Sequence, residues 1–240
     1  MKLTDFKVIS FDCYGTLIDW ETGIFEAFQP FMQRTGRVLS REYLIRTFAR
    51  YEALQQMKTP TISYAEILQR VYARIAQVCH VQPSRDEAIM FSNSIGNWPA
   101  FIDSPSSLQY LKQYFKLVIL SNVDNDSFRL SNEKLQVDFD YIFTSQDIGS
   151  YKPDLRNFKF LISRLAEHGI PKEADLHAAV GLYHDLLPAS HMGLATAWIH
   201  RRAGREGHGA TRPPERMPAL NFRFTSLEQL VLAHRSAMGS

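Results

Sequence analysis

Four short segments of this 240-residue chain carry side chains able to do chemistry together. Phe11-Asp12-Cys13-Tyr14-Gly15-Thr16-Leu17 sets a carboxylate just before a glycine turn. Ser121-Asn122 offers a hydroxyl and a carboxamide. Ser150-Tyr151-Lys152-Pro153-Asp154 offers an ammonium, and Tyr183-His184-Asp185 an imidazole and a second carboxylate. A carboxylate at such a turn serves as a nucleophile, a metal ligand or a helix cap.

Each segment follows a short apolar, β-branched run, at 7–11, 116–120, 141–144 and 176–180, and a fifth run lies at 196–199. Such runs read as buried parallel strands. Helical patterns at 108–114, 158–168 and 186–192 separate them. Strands alternating with helices predict an α/β fold, an open parallel sheet with helices on both faces. Ligands on such sheets bind at the strands' carboxyl ends, where all four segments fall.

Between residues 19 and 97 the strand signal disappears. Ser63-Tyr64-Ala65-Glu66 and Ser84-Arg85-Asp86-Glu87 read as helix starts, and Ile67, Leu68, Val71, Ile75 and Val78 repeat at helical spacing. The expected organisation is a core of residues 1–18 and 98–240 with an all-helical cap, 19–97, over the first strand's active end. Residues 204–218, rich in Gly, Pro and Arg, read as a surface loop. A last strand at 221–225 and a helix opened by Ser226 follow.

The bulk properties exclude several classes. A formal net charge of +2 gives no footprint for nucleic acid. No apolar run approaches the ~20 residues of a bilayer-spanning helix, and the first residues lack a signal peptide's apolar core. Cys13 and Cys79, the only cysteines, are too few for a disulfide framework or a thiolate metal site. A reduced, cytoplasmic protein without a membrane partner is expected. Cys13 reads as core, because strand alternation turns it from the face of Asp12. The run Arg201-Arg202-Ala203-Gly204-Arg205 reads as a solvated loop, and Cys79-His80 as packing or surface.

Taken in order, the four segments resemble the motifs of the haloacid dehalogenase superfamily, most closely its 2-haloacid dehalogenase branch. Phosphatases of that superfamily carry Asp-x-Asp in the first motif and a Gly-Asp turn near the fourth. Tyr14 and Leu182 occupy those places here, so the resemblance implies no metal cofactor. It implies that Asp12 attacks the α-carbon of a small 2-substituted carboxylic acid to form an ester. Thr16, Ser121 and Asn122 would hold the substrate carboxylate or the nucleophile. Lys152 would orient Asp12 and keep it ionised, since a nearby cation favours the charged form. Asp185 would hold Lys152 or activate water, Tyr14 would line an apolar pocket, and a cap arginine, Arg50 or else Arg46, would contact substrate. The 2-haloacid dehalogenases commonly have Ser-x-Asn where this chain has Val180 and Leu182. The Leu182-Tyr183-His184-Asp185 and Asp19-Trp20-Glu21-Thr22-Gly23 segments look more like azetidine-2-carboxylate hydrolases, in which His184 would protonate a leaving amine. A homodimer is common among such relatives. A magnesium-dependent phosphatase and a non-catalytic binding relative stand as the alternatives.

Overall fold

The computed structural model describes residues 1–239. β1 (Val8–Phe11), β2 (Lys116–Ser121), β3 (Tyr141–Thr144), β4 (Asp175–Ala179), β5 (Ala195–Ile199) and β6 (Phe222–Phe224) form one parallel sheet in the order β3-β2-β1-β4-β5-β6. The three central strands are covered on both faces, which is why they read as continuous apolar runs. Alternation along each strand sorts the core. Ile9, Phe11, Leu117 and Ile119 pack with Leu108 and Leu111 of α6 (Ser104–Leu111), while Val8, Val118 and Leu120 pack with Phe158, Leu161 and Leu165 of α9 (Leu155–Glu167).

The strand order turns back between β1 and β4, the place where an open parallel sheet leaves a crevice at its carboxyl end. Phe11 is in register with Ile119 of β2 and Ala178 of β4. The residues that leave these three strands therefore emerge level with one another. Helix α7 (Asn125–Leu135), which the sequence reading leaves out, starts where Asp124 accepts a hydrogen bond from the Ser127 amide at 2.9 Å. Two further helices, α8 (Ser145–Ile148) and α10 (Leu187–His191), complete the crossovers, and α11 (Leu227–Met238) closes the chain.

Five helices lie between β1 and β2: α1 (Trp20–Ala27), α2 (Gln29–Thr35), α3 (Arg41–Lys58), α4 (Tyr64–Val78) and α5 (Arg85–Asn93). Ser40, Ser63 and Ser84 cap the last three by accepting from the amide three residues on. Helix α4 buries Ile67, Leu68, Val71, Tyr72, Ile75 and Ala76 as one stripe. Tyr72 stacks on Phe28 at 5.3 Å, and Phe28 meets Phe91 at 4.7 Å, so aromatic rings join the α1–α2 junction to α4 and α5. The chain rejoins the sheet through an antiparallel bridge between Ile18 and Ala100.

Residues 200–219 form no helix or strand, as expected of a loop, but they are tied down rather than solvated. Arg201 grips both Asp103 oxygens (2.7 and 2.8 Å) and donates to the Thr16 carbonyl (2.9 Å). Arg202 pairs with Glu21 at 2.7 Å and Glu42 at 3.0 Å. The reading of this arginine run as solvated is thus corrected: Asp103, Glu21 and Glu42 are distant in sequence and supply its counter-charge. No helix among the described residues is long and apolar enough to cross a membrane.

Candidate active site

Asp12 stands one residue beyond β1, 8% exposed at the crevice. Its carboxylate is held at both oxygens. Lys152 Nζ donates to Oδ1 at 2.9 Å and Thr16 Oγ1 donates to Oδ2 at 2.8 Å. Thr16 is fixed in turn, because its hydroxyl accepts the Val180 amide at 2.9 Å and its carbonyl is clamped by Arg201. Gly15 between them has φ +86°, and a Cβ there would come within 2.7 Å of the Trp20 indole nitrogen, so only glycine fits the turn.

Lys152 is 2% exposed and saturated. Besides Asp12, its ammonium donates to Asp185 Oδ1 at 2.6 Å and to the Leu120 carbonyl at 2.7 Å. Burial works against this charge, but the two carboxylates outweigh it and hold the lysine pKa above its ordinary value. Burial likewise works against Asp185, yet Lys152 and His177 hold that carboxyl down to about 2. At Asp12 burial prevails over Lys152, aided by repulsion from Asp185, and its pKa lies above the usual carboxylate value. Asp185 therefore carries the firmer charge, and Asp12 is the carboxylate that protonates first on acidification.

Asp185 leaves β4 on a single π turn, Leu182–Leu186, and its Oδ2 lies against Gly181, where a Cβ would come within 2.5 Å. Beneath it runs a buried polar chain. Ser10 Oγ donates to Asp175 Oδ2 at 2.8 Å and lies 2.9 Å from His177 Nδ1, while His177 Nε2 is 3.4 Å from Asp185 Oδ1. Ser10 and His177 occupy neighbouring strands in register, which brings these groups together inside the sheet.

Asp12, Lys152 and Asp185 line a pocket of about 40 Å³, room for only a few water-sized occupants. Tyr14 forms one wall. Its ring meets Trp98 edge-on at 5.7 Å, and its hydroxyl is turned away to Ser131 Oγ at 2.7 Å. Ser121 also lines the pocket, and its Oγ is buried without a hydrogen-bond partner. Asn122 is engaged otherwise: its carboxamide accepts the Lys152 amide at 2.6 Å and donates to the Lys152 carbonyl at 3.0 Å, fixing the lysine's backbone. His184, half-buried in the pocket wall, has its pKa lowered to about 4 by burial. Near pH 7 this favours the neutral imidazole, whose unprotonated nitrogen can accept a proton. Cys13 packs in the core, as its alternation predicts.

Neither candidate arginine of α3 faces this pocket. Arg46 and Arg50 are exposed on α3 and line a separate groove with Arg212. The inward face of α3 carries Leu44, Ile45, Phe48, Ala49, Glu52, Ala53 and Gln56, and the arginines fall on the opposite side. What α3 presents to the pocket is Glu52 and Gln56, four residues apart, with Tyr64 of α4 beside them. Tyr64 donates to Glu52 Oε1 at 2.9 Å and Gln56 donates to the same oxygen at 3.1 Å. The polar residues on an otherwise apolar stripe are the signal that would have singled out Glu52 and Gln56.

A magnesium ion fits this donor set poorly. The Asp12 oxygens serve Lys152 and Thr16, Asp185 Oδ1 serves Lys152 and its Oδ2 is packed on Gly181, and the Tyr14 hydroxyl faces away.

Residues 6–174 match the haloacid dehalogenase-like hydrolase family. The chain belongs to this family. It is a hydrolase of the haloacid dehalogenase fold, and solved structures across the family share that fold at low identity. The L-2-haloacid dehalogenase from Xanthobacter autotrophicus with chloropropionic acid covalently bound is 18% identical, with a TM-score of 0.76 over 96% of this chain and 98% of that one. A defluorinating L-2-haloacid dehalogenase is 17% identical, with a TM-score of 0.76 over 98% of both chains. A HAD-hydrolase from Bacillus subtilis bound to magnesium is 17% identical, with a TM-score of 0.72 over 95% of this chain and 97% of that one. No curated protein matches the sequence.

Proposed function

We propose that this family member hydrolyses small 2-substituted carboxylic acids by displacement at the α-carbon, with Asp12 as the nucleophile. The observation that carries the reading is the fixed, charge-compensated Asp12 carboxylate facing a pocket too small for more than a compact substrate. Lys152 and Thr16 hold the nucleophile, and Asp185 anchors Lys152. Ser121, with its unpartnered hydroxyl, binds the substrate carboxylate. Tyr14 and Trp20 supply the apolar wall, which favours displacement at carbon. Ester formation on Asp12 is followed by water attack on its carboxyl carbon, and neutral His184 takes the water's proton. Residues 19–97 act as a cap that closes the pocket through α3 and α4, over a core of residues 1–18 and 98–240. The Xanthobacter enzyme, similar in fold, carries chloropropionic acid covalently bound and offers a chemical parallel to this ester.

Isotope placement tests the covalent route. In a single turnover in heavy-oxygen water with enzyme in excess, the label is expected in the Asp12 side chain, and the 2-hydroxy product keeps ordinary oxygen. Label appearing directly in the product, with none in Asp12, refutes the ester and makes Asp12 a general base.

A further inference from the structure

A second cavity, of about 590 Å³, lies between the outer side of α3 and the segment 207–213. That is a size small organic ligands fill. Ala49, Ala53 and Leu54 give it an apolar base, and Arg46, Arg50 and Arg212 stand around it. Arg46 and Arg50 are one turn apart on α3, a spacing at which like charges weaken a helix. No carboxylate pairs with any of the three among the described residues. Glu42, the one acid in the lining, is taken by Arg202 at 3.0 Å. The wall opposite α3 is preformed. The Ala210 amide donates to Glu21 Oε1 at 2.9 Å, the Thr211 hydroxyl donates to the His208 carbonyl at 2.6 Å, and a Cβ on Gly209 (φ +58°) would run into Glu21. The Arg212 guanidinium lies over the Tyr183 ring at 4.4 Å and donates to its hydroxyl at 3.4 Å. The third cation is thus held by contacts that leave its charge uncompensated.

We propose that this groove is a second ligand site, separate from the Asp12 pocket, and that it takes a small phosphate monoester with an apolar body. A guanidinium fork binds phosphate oxygens in pairs, and three of them match a doubly charged group better than a single carboxylate. The apolar base distinguishes an ester from free phosphate, because it removes the organic part from water. Thr211 lines both cavities, and Arg212 rests on Tyr183, the neighbour of His184, so the two sites share a wall. No chemistry of Asp12 enters the proposal, and it stands or falls apart from the hydrolytic reading.

Calorimetry on the full chain tests it, at low ionic strength, where exposed charges are least screened, and in mildly alkaline buffer. The probe is 1-naphthylphosphonate, doubly ionised there and proof against hydrolysis because its phosphorus is bonded to carbon. Inorganic phosphate and 1-naphthol serve as the charge-only and apolar-only comparisons. The phosphonate is expected to bind at one site per chain, at least about tenfold more tightly than either. Arg46→Gln, Arg50→Gln and Arg212→Gln are each expected to weaken it by about tenfold or more, the scale of a lost charge-assisted hydrogen bond. Arg129→Gln, on α7 and outside the groove, is expected to leave it unchanged. Arg46 and Arg50 are exposed, so their replacement spares the core, and circular dichroism verifies the fold. Should Arg212→Gln fail to fold, the two α3 variants decide. Absence of phosphonate binding, or equal affinity for inorganic phosphate or naphthol, overturns the proposal. So does binding that survives the groove variants, which puts the ligand elsewhere, or an equal loss in Arg129→Gln, which makes the attraction one of overall charge.

Discussion

Replacing Lys152 by methionine keeps an unbranched chain of similar length and removes one charge from between two buried carboxylates. Breaking a buried ion pair by deleting one partner costs about 3 to 5 kcal/mol, and here one ammonium serves both Asp12 and Asp185. A loss near the upper end is a large share of a typical domain stability of about 5 to 15 kcal/mol. The pH dependence gives the sharper test. In the native protein Asp185 is depressed from 3.8 to about 2, a contribution of roughly 2 to 3 kcal/mol that is present above the unfolded value and lost as pH falls toward 2. Without Lys152 the Asp185 carboxyl rises above its unfolded value, so its contribution is lost at neutral pH and regained as the pH drops. Asp12, already raised, moves further the same way. The penalty of Lys152→Met is therefore expected to be largest near pH 7 to 8 and to shrink toward pH 5. Glu52 and Asp175, raised by burial to about 7 and about 6, titrate in both proteins and largely cancel in the difference. Paired urea denaturation curves across that range measure it. A penalty below about 1 kcal/mol, or one independent of pH, would show that Lys152 does not compensate both carboxylates.

Two further outcomes follow from the same geometry. Gly181→Ala puts a methyl within 2.5 Å of Asp185 Oδ2, and the displaced carboxylate should loosen Lys152 and lower turnover by about tenfold to a hundredfold with the fold retained, as circular dichroism and initial rates will report. Because the carboxylates are occupied by Lys152, Thr16 and the Gly181 contact, activity should be unchanged by excess chelator and not increased by added magnesium. A magnesium requirement in steady-state assays would overturn that reading of the donor set.

The sheet was legible because its central strands are buried on both faces and so stand out as short apolar runs between helical periods. Every strand expected from the sequence is present within a residue or two, down to Phe222–Phe224. Asp12, Lys152 and Asp185 could be placed on one rim because parallel strands bring their carboxyl ends together, and their pairing came from the family resemblance. The misses have physical reasons. Helical phase decides which side chains of α3 face inward, and without a fixed phase the choice lay between Arg50 and Arg46, both of which fall on the outer side. Ser10, Asp175 and His177 sit inside strands, where a polar residue says nothing of its partner until register is known. The tail arginines were read as solvated because their partners, Asp103, Glu21 and Glu42, are far away in sequence.

The separations within the site have a consequence for how the protein is made. Asp12 meets Lys152 across 140 positions, and Ser10 meets Asp175 across 165. A nascent chain that has released its first strand and all five inserted helices still holds Asp12 without its counter-ion. Only when β4 slots between β1 and β5 do Ser10, His177, Asp185 and Lys152 close into one chain of contacts. Such long-range closure slows folding, since chain entropy is lost before the contacts compensate for it. The Asp12–Lys152–Asp185 cluster is thus complete only with the final registration of the sheet, and a chain mispaired by one residue at β4 would place His177 on the wrong face and leave Asp185 without it.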